Sequence, residues 1–285
     1  MLWVLAFLSL AIAGFTLAAR SHVQEASAEA ASADAASLAD AGVHVALGDL
    51  VNAQWARTWR RRFPPDGTAQ TCSLDGGRLV VTVSDEAGRI DLNGATPEIL
   101  TALFTGLGRS RDDARGLAAK LVDWRDADSR KSPDGAEGDD YRDAGRPGPK
   151  NALFVAPEEL AQVLGFDAAL LAQLRPFVTV HTGIVGIDPT KASPELVAVL
   201  AGTVAAGGGA VMAGLQRSRL PPSFVEPSSQ RLFRIRAQAL TGRGAAFARE
   251  VVVQVIPGRT RLYTVLAWVR VDALSIPQAR DLGAC

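Results

Sequence analysis

Seven carboxylates fall within nineteen residues in the run DWRDADSRKSPDGAEGDDY, from Asp123 to Tyr141. A hard cation such as Ca²⁺ takes about six to eight oxygen ligands, mixing carboxylates with backbone carbonyls. Asp126 and Asp128 form one acidic pair, and Glu137, Asp139 and Asp140 form a second group beyond the turn at Ser132–Gly135. Convergence of the two groups would give such a site. The spacing is not that of an EF-hand, because no Asp-x-Asp-x-Asp-Gly run occurs. Arg125, Arg130 and Lys131 lie in the same stretch, so a solvated and partly neutralised polar loop is the competing reading. A pair of catalytic carboxylates, as in glycoside hydrolysis, finds no supporting sugar-site residues. No Ser/His/Asp, Cys/His or phosphate-loop spacing is seen, and His22, His44 and His181 are the only histidines. The sequence is not that of an expected enzyme.

Composition narrows the classes further. The chain has 285 residues, 48% of them apolar and 21% charged, enough to bury a core. Lys+Arg and Asp+Glu are both 30, so no overall basic field draws in a nucleic acid. Cys72 and Cys285 are too few for a disulfide framework or a cysteine zinc site. One bridge in an oxidising compartment and two free thiols both remain open.

Elements that position the acidic run follow from local pattern. Residues 2–19, LWVLAFLSLAIAGFTLAA, carry no charge and nearly suffice to cross a bilayer as a helix. Nothing basic precedes them and the first Arg is Arg20, unlike a cleaved signal peptide, so a retained membrane helix is expected. Residues 21–62 are Ala-rich and free of Pro, with Leu38, Val45, Leu50 and Val51 forming an apolar stripe. One rod helix over 1–62 is therefore expected, stopped by Phe63-Pro64-Pro65.

Beyond the rod, Gly76-Gly77 marks a turn before a strand in 74–83, and Arg89–Leu92 reads as a short second strand. Helical periodicity dominates about 96–205, with Gly207-Gly208-Gly209 as a flexible joint and a helical turn at 211–215. Runs 231–240, 246–256 and 261–271 read as strands, joined by turn signals at Thr241–Gly244 and Pro257-Gly258. Phe233, Ile235 and Ala237 alternate with Arg234, Arg236 and Gln238, which predicts one wet sheet face.

The expected architecture is α+β: a long N-terminal helix on an antiparallel sheet, with an α-helical domain inserted between strands. The expected divisions are the rod at 1–62, sheet regions at 63–92 and 220–285, and the inserted domain at 93–219. Thr96-Pro97-x-Ile99 and Ser193-Pro194-x-Leu196 both read as capped helix starts. With Gly106-Leu107-Gly108 and the following Arg109 and Arg111, they look like helix-hairpin-helix units. Such units occur both as packing elements and as phosphate-binding hairpins. A membrane-anchored DNA-binding protein for DNA uptake is accordingly the alternative function. Asp112 and Asp113 weaken it, as does the second phrase, which lacks a Gly-x-Gly hairpin.

Taken in order, several phrases resemble the general secretion pathway protein K family. They are the Leu-Trp-Val-Leu-Ala opening, Ile90-Asp91-Leu92-Asn93-x-Ala95-Thr96-Pro97, Asp123-Trp124-x-Asp126, Gly135-Ala136-Glu137 leading to Asp140-Tyr141, Asn151, Glu158-Glu159-Leu160, and Thr179-Val180. The resemblance implies a pilin-like fold whose sheet is interrupted by a large α-domain. It implies a minor pseudopilin at the tip of the type II secretion pseudopilus, complexed with other minor pseudopilins. The protein would be a single-pass inner-membrane protein, with most of the chain in the periplasm. There it would cap the fibre, initiate assembly, and touch secreted proteins and the outer-membrane pore. Neighbouring helices would bury the Leu38, Val45, Leu50 stripe, and no nucleic acid is expected. The resemblance also implies calcium in the α-domain, with Asp126, Asp128, Glu137, Asp139 and Asp140 as the expected ligands. A short basic leader encoded upstream of Met1 and removed by a prepilin peptidase is a further expectation.

Overall fold

The computed structural model describes residues 2–55, 60–202, 220–258, 261–273 and 279–285. Two units divide the chain. One comprises Met1–Pro64, Thr68–Val83 and Arg234–Cys285, and the other comprises Pro65–Gly67 and Ser84–Phe233. The expected joint at Gly207-Gly208-Gly209 and the helical turn at 211–215 lie outside the described residues.

In the first unit, α1 runs from Leu2 to Trp55, 54 residues or about 80 Å of helix. Its early side chains are exposed, among them Trp3, Phe7, Leu10 and Phe15. By length and composition this helix can cross a membrane. From residue 35 onward one face is buried, through Ala35, Leu38, Ala39, Val43, Ala46, Leu47 and Leu50. Small residues let the helix lie close to the sheet. A Cβ on Gly42 would stand 3.0 Å from a Leu79 methyl and 3.2 Å from Ala237 Cβ.

That face corrects the expected role of the stripe. Leu38 and Leu50 are already covered by the chain itself, and Val45 is half-buried. The rod also stops short of residue 62, because residues 60–63 are non-helical. The Asp49 carboxylate accepts the Arg62 and Phe63 main-chain N–H groups, each at 3.1 Å, and so draws the segment back alongside α1.

The sheet has six strands in the order β7-β6-β5-β2-β1-β8. These are β1 (Gln70–Leu74), β2 (Gly77–Asp85), β5 (Leu232–Leu240), β6 (Ala246–Val255), β7 (Tyr263–Val271) and β8 (Arg280–Ala284). β1 and β2 pair antiparallel around Asp75 (φ 47°) and Gly76 (φ 72°), the positive-φ pair of a two-residue hairpin turn. β6 and β7 pair antiparallel. β8 lies parallel to β1, so the sheet is mixed, not wholly antiparallel as expected. The expected wet face of β5 is also absent. Arg234 and Gln238 are buried, and Arg234 Nη1 meets Glu250 Oε1 of β6 at 2.7 Å. Arg234 and the half-buried Arg236 thus share the Glu250 carboxylate across the strands.

The second unit is mainly helical: α2 (Pro97–Gly106), α3 (Arg111–Arg125), α4 (Gly138–Asp143), α5 (Ala168–Leu174) and α6 (Pro194–Leu200), with β3 (Ile90–Asp91) parallel to β4 (Val178–Thr179). Thr96, Ser110, Asp167 and Ser193 cap α2, α3, α5 and α6, each side chain accepting from the third N–H of its helix. The core includes Ile99, Leu103, Phe104, Leu121, Trp124, Tyr141, Leu160 and Leu196.

Fully buried Asp91 ties this unit's two halves together. Its Oδ1 accepts from the N–H groups of Asn93 (2.7 Å) and Gly94 (3.0 Å). Its Oδ2 accepts from Thr182 N (2.8 Å), Thr182 Oγ1 (3.1 Å) and Gly183 N (2.9 Å). A carboxylate with five donors is stable in a core because hydrogen bonds replace its lost water.

The helix-hairpin-helix phrases pack against one another. A Cβ on Gly106 would overlap the Val199 carbonyl oxygen, so the glycine permits α2 to touch α6. Arg109, expected beside a phosphate in the alternative reading, lies 3.6 Å from the Asp167 carboxylate.

Candidate metal centre

The acidic run leaves the end of α3, turns at Asp134 (φ 64°) and enters α4. Asp123, on the buried face of α3, is fully enclosed. Its Oδ2 accepts from Ser132 N (3.1 Å) and Ala136 N (2.9 Å), folding the loop back over the helix. Gly135 sits against this carboxylate, and a Cβ there would overlap Asp123 Oδ2. On the far side, Asn151 (φ 50°) donates its side-chain N–H to the Asp128 carbonyl at 2.8 Å, while its own N–H reaches the Trp124 carbonyl at 3.0 Å. The loop is thus held at both ends by main-chain contacts.

Five oxygens inside this frame are buried without a hydrogen-bond partner: Asp123 Oδ1, Asp126 Oδ1, both Glu137 oxygens and Asn151 Oδ1. Buried carboxylate oxygens in that condition are costly unless something positive compensates them. Burial pushes the Glu137 carboxyl up, and the neighbouring charges of Asp123, Asp126 and Asp128 push it further. Asp126 is raised in the same way, by burial and then by Asp128 and Asp123. These four carboxylates therefore feel one another. The Arg125 guanidinium is taken up by the Leu92 and Ala95 carbonyls, to which it donates, and Lys131 is taken up by Asp140. Among the described residues no three His, Cys, Asp or Glu side chains form a ready-made metal-holding group. The unpartnered oxygens nevertheless suit an oxygen-loving cation, which prefers carboxylates and carbonyls.

The expected ligands part company here. Asp126 and Glu137 contribute unpartnered oxygens to the cluster. Asp128 is exposed and accepts the Arg130 N–H at 2.7 Å, while its carbonyl faces Asn151. Asp139 points outward to Arg142 at 2.7 Å. Asp140 is taken by Lys131 Nζ at 2.6 Å and by the Glu137 N–H at 2.9 Å, and these contacts hold its carboxyl below the usual range. Asp123 and Asn151 were not among the expected ligands. Asp123 is the first carboxylate of the acidic run but sits where the helix periodicity places a core position, and Asn151 lies ten residues beyond the run, so composition marks the first without marking it as a ligand and does not mark the second.

Comparison with known proteins adds to this picture. Residues 80–183 match the family described as "Type II secretion system (T2SS), protein K". Type II secretion system protein K of Pectobacterium carotovorum subsp. carotovorum is 32% identical over 126 residues, 41% of this chain and 38% of the relative's length. The chain thus aligns with well under half of that relative. In fold, it is similar to a chain in the crystal structure of the GspK-GspI-GspJ complex from the enterotoxigenic Escherichia coli type 2 secretion system. That likeness has a TM-score of 0.59 at 18% identity, covering 89% of this chain and 99% of the other. The resemblance read from the sequence is thereby borne out: residues 80–183 match the protein K family of the type II secretion system, and the fold is similar to that of a chain in the solved GspK-GspI-GspJ complex.

Proposed function

We propose that this protein is a minor pseudopilin at the tip of a type II secretion pseudopilus, where it caps the fibre and initiates its assembly for protein export. The observation that carries the reading is where the protein K match falls. It spans α2 to α5 with β3 and β4, the larger part of the helical segment inserted between β2 and β5, in a chain whose α1 is long and apolar enough to cross a membrane. A filament subunit is held laterally by its long helix, and a bulky insertion between strands suits a position with no subunit above it. The role is mechanical, not catalytic.

Export capping needs partners. The solved relative stands in a complex with GspI and GspJ. We assign this chain the corresponding minor pseudopilins, with secreted proteins and the outer-membrane pore as further contacts. The chain would sit in the inner membrane through the start of α1, with the rest of the first unit and all of the second in the periplasm. The Cys72–Cys285 disulfide supports an oxidising compartment.

Calcium belongs to the same reading. Asp123, Asp126, Glu137, the Asp128 loop and Asn151 would hold it. Bound there, the cation supplies positive charge that offsets carboxylate repulsion and couples binding to folding of the loop. Asp140 instead anchors the loop from outside through Lys131, and Asp139 pairs within α4 with Arg142.

Mixing the soluble part of this chain with those of its cognate I and J pseudopilins tests the partner assignment. Co-elution at the mass of a heterotrimer is the expected result. Separate elution of all three would reject it.

A further inference from the structure

Strand β8 is held in an unusual way. It is five residues long, almost wholly exposed, and joined to β1 by a parallel ladder that slips register between Thr71 and Ser73. Short, exposed and irregularly paired strands lie at the low end of local stability. Two further ties hold this one. Cys285 is bonded to Cys72 in β1, 213 residues away in sequence. Arg62 donates to the Ala284 carbonyl at 2.6 Å and to the Cys285 carbonyl at 2.5 Å. The main chain of Arg62 is in turn fixed by Asp49 of α1 at 3.1 Å. A continuous path therefore runs from α1 through Asp49 and Arg62 to β8 and, by the disulfide, to β1.

We propose that β8 is a redox latch: the Cys72–Cys285 bond keeps it closed over the outer edge of β1, and reduction releases it without unfolding the sheet. Cys72 is buried and Cys285 is half-buried, so attack comes at the Cys285 sulfur. A thiolate of a dithiol reductant bonds to Cys285 Sγ while the Cys72 sulfur leaves as a thiolate and takes up a proton. The second thiol of the reductant then displaces Cys285 as a free thiol, and the reductant departs as a disulfide. Two electrons and two protons pass to the protein. Release removes the bonds from Cys285 N to the Ser73 carbonyl and from Arg280 N to the Ala69 carbonyl. It uncovers the β1 edge, a row of main-chain groups able to accept another strand. It also frees the Arg62 fork next to the end of α1. This inference does not depend on the secretion reading.

Hydrogen exchange by mass spectrometry on the full chain in detergent, with and without dithiothreitol, tests the latch. A Cys72→Ser/Cys285→Ser variant is measured in parallel, so that access of the reductant is not decisive. The expected result is exchange at least tenfold faster in 280–285 and 70–74 in both the reduced protein and the variant, with β5 and β6 unchanged. In the oxidised protein, Arg62→Ala leaves β8 protected within about threefold. Unchanged protection in 280–285 would overturn the proposal. Loss of protection across the whole sheet would also overturn it, since the bond would then be a staple of the fold. Release by Arg62→Ala alone would make the arginine the latch and equally overturn it.

Discussion

Gly135 lies so close to Asp123 that a Cβ would overlap the carboxylate oxygen Oδ2, the same oxygen that accepts the N–H groups of Ser132 and Ala136. The acidic loop is thus folded around a buried carboxylate before any cation is considered. Gly135→Ala must displace either the loop or Asp123. Overpacking of this kind costs about 1–3 kcal/mol. Thermal melting of the 84–233 unit should fall by several degrees, and an unchanged melt would show that the loop is not closed over Asp123.

Calcium should raise the melting temperature of the same unit, and a chelator should lower it. Glu137→Gln and Asp126→Asn are expected to abolish most of the calcium-dependent rise. Asp139→Asn is expected to keep it, because that carboxylate faces Arg142. Calorimetric titration of the four proteins checks this. Equal losses in Asp139→Asn and Glu137→Gln would contradict the assignment.

Asp91→Asn should be among the most damaging single changes. The amide that replaces one oxygen meets N–H donors it cannot accept, and the charge that strengthened five hydrogen bonds is gone. Hydrogen bonds to a charged group contribute about 1.5–3 kcal/mol each, though they do not add simply. A loss of at least about 3 kcal/mol is expected in urea unfolding of the helical unit. A shift under 1 kcal/mol, about the size of one neutral hydrogen bond, would contradict the pinning role.

Glu159 gives the pH dependence. Burial pushes its carboxyl up, but Lys150 at 2.7 Å and the N–H groups of Val155 and Ala156 outweigh this, and the net position is lowered. A carboxylate lowered in the folded state contributes stability that is full above its unfolded pKa of about 4.3. That contribution is lost as pH falls through the lower folded value. Glu159→Gln should therefore cost about 1–2 kcal/mol at pH 7 and little at pH 3. Chemical denaturation at the two pH values measures the difference, and an equal cost at both would be contrary to expectation.

Local signals were legible where a side chain acts on its own neighbours. Thr96 and Ser193 announce helix starts because capping is a three-residue event. Strands β5, β6 and β7 announce themselves by apolar content between turn residues. Features made by distant parts of the chain were not legible. Strand β8 pairs parallel with β1 some two hundred residues away, and nothing in RDLGA signals it. Arg234 reads as a solvent-facing residue until Glu250 is placed opposite it. In the acidic loop the residue types pointed to the stretch that holds the unpartnered buried oxygens, but not to which side chains contribute them. Asp139 and Asp140 are as acidic as Asp126 and Glu137, and what separates them is the fold of the loop, which buries Glu137 and turns Asp139 to Arg142 and Asp140 to Lys131.

The most direct test of the secretion role is made in the native host. The gene is deleted, a complemented strain is prepared, and the proteins reaching the medium are quantified. The account predicts that exported enzymes accumulate in the periplasm of the deletion strain and return to the medium on complementation. An exported set unchanged by the deletion would contradict it, and salt-dependent DNA binding through Arg109 and Arg111 would become the next activity to measure.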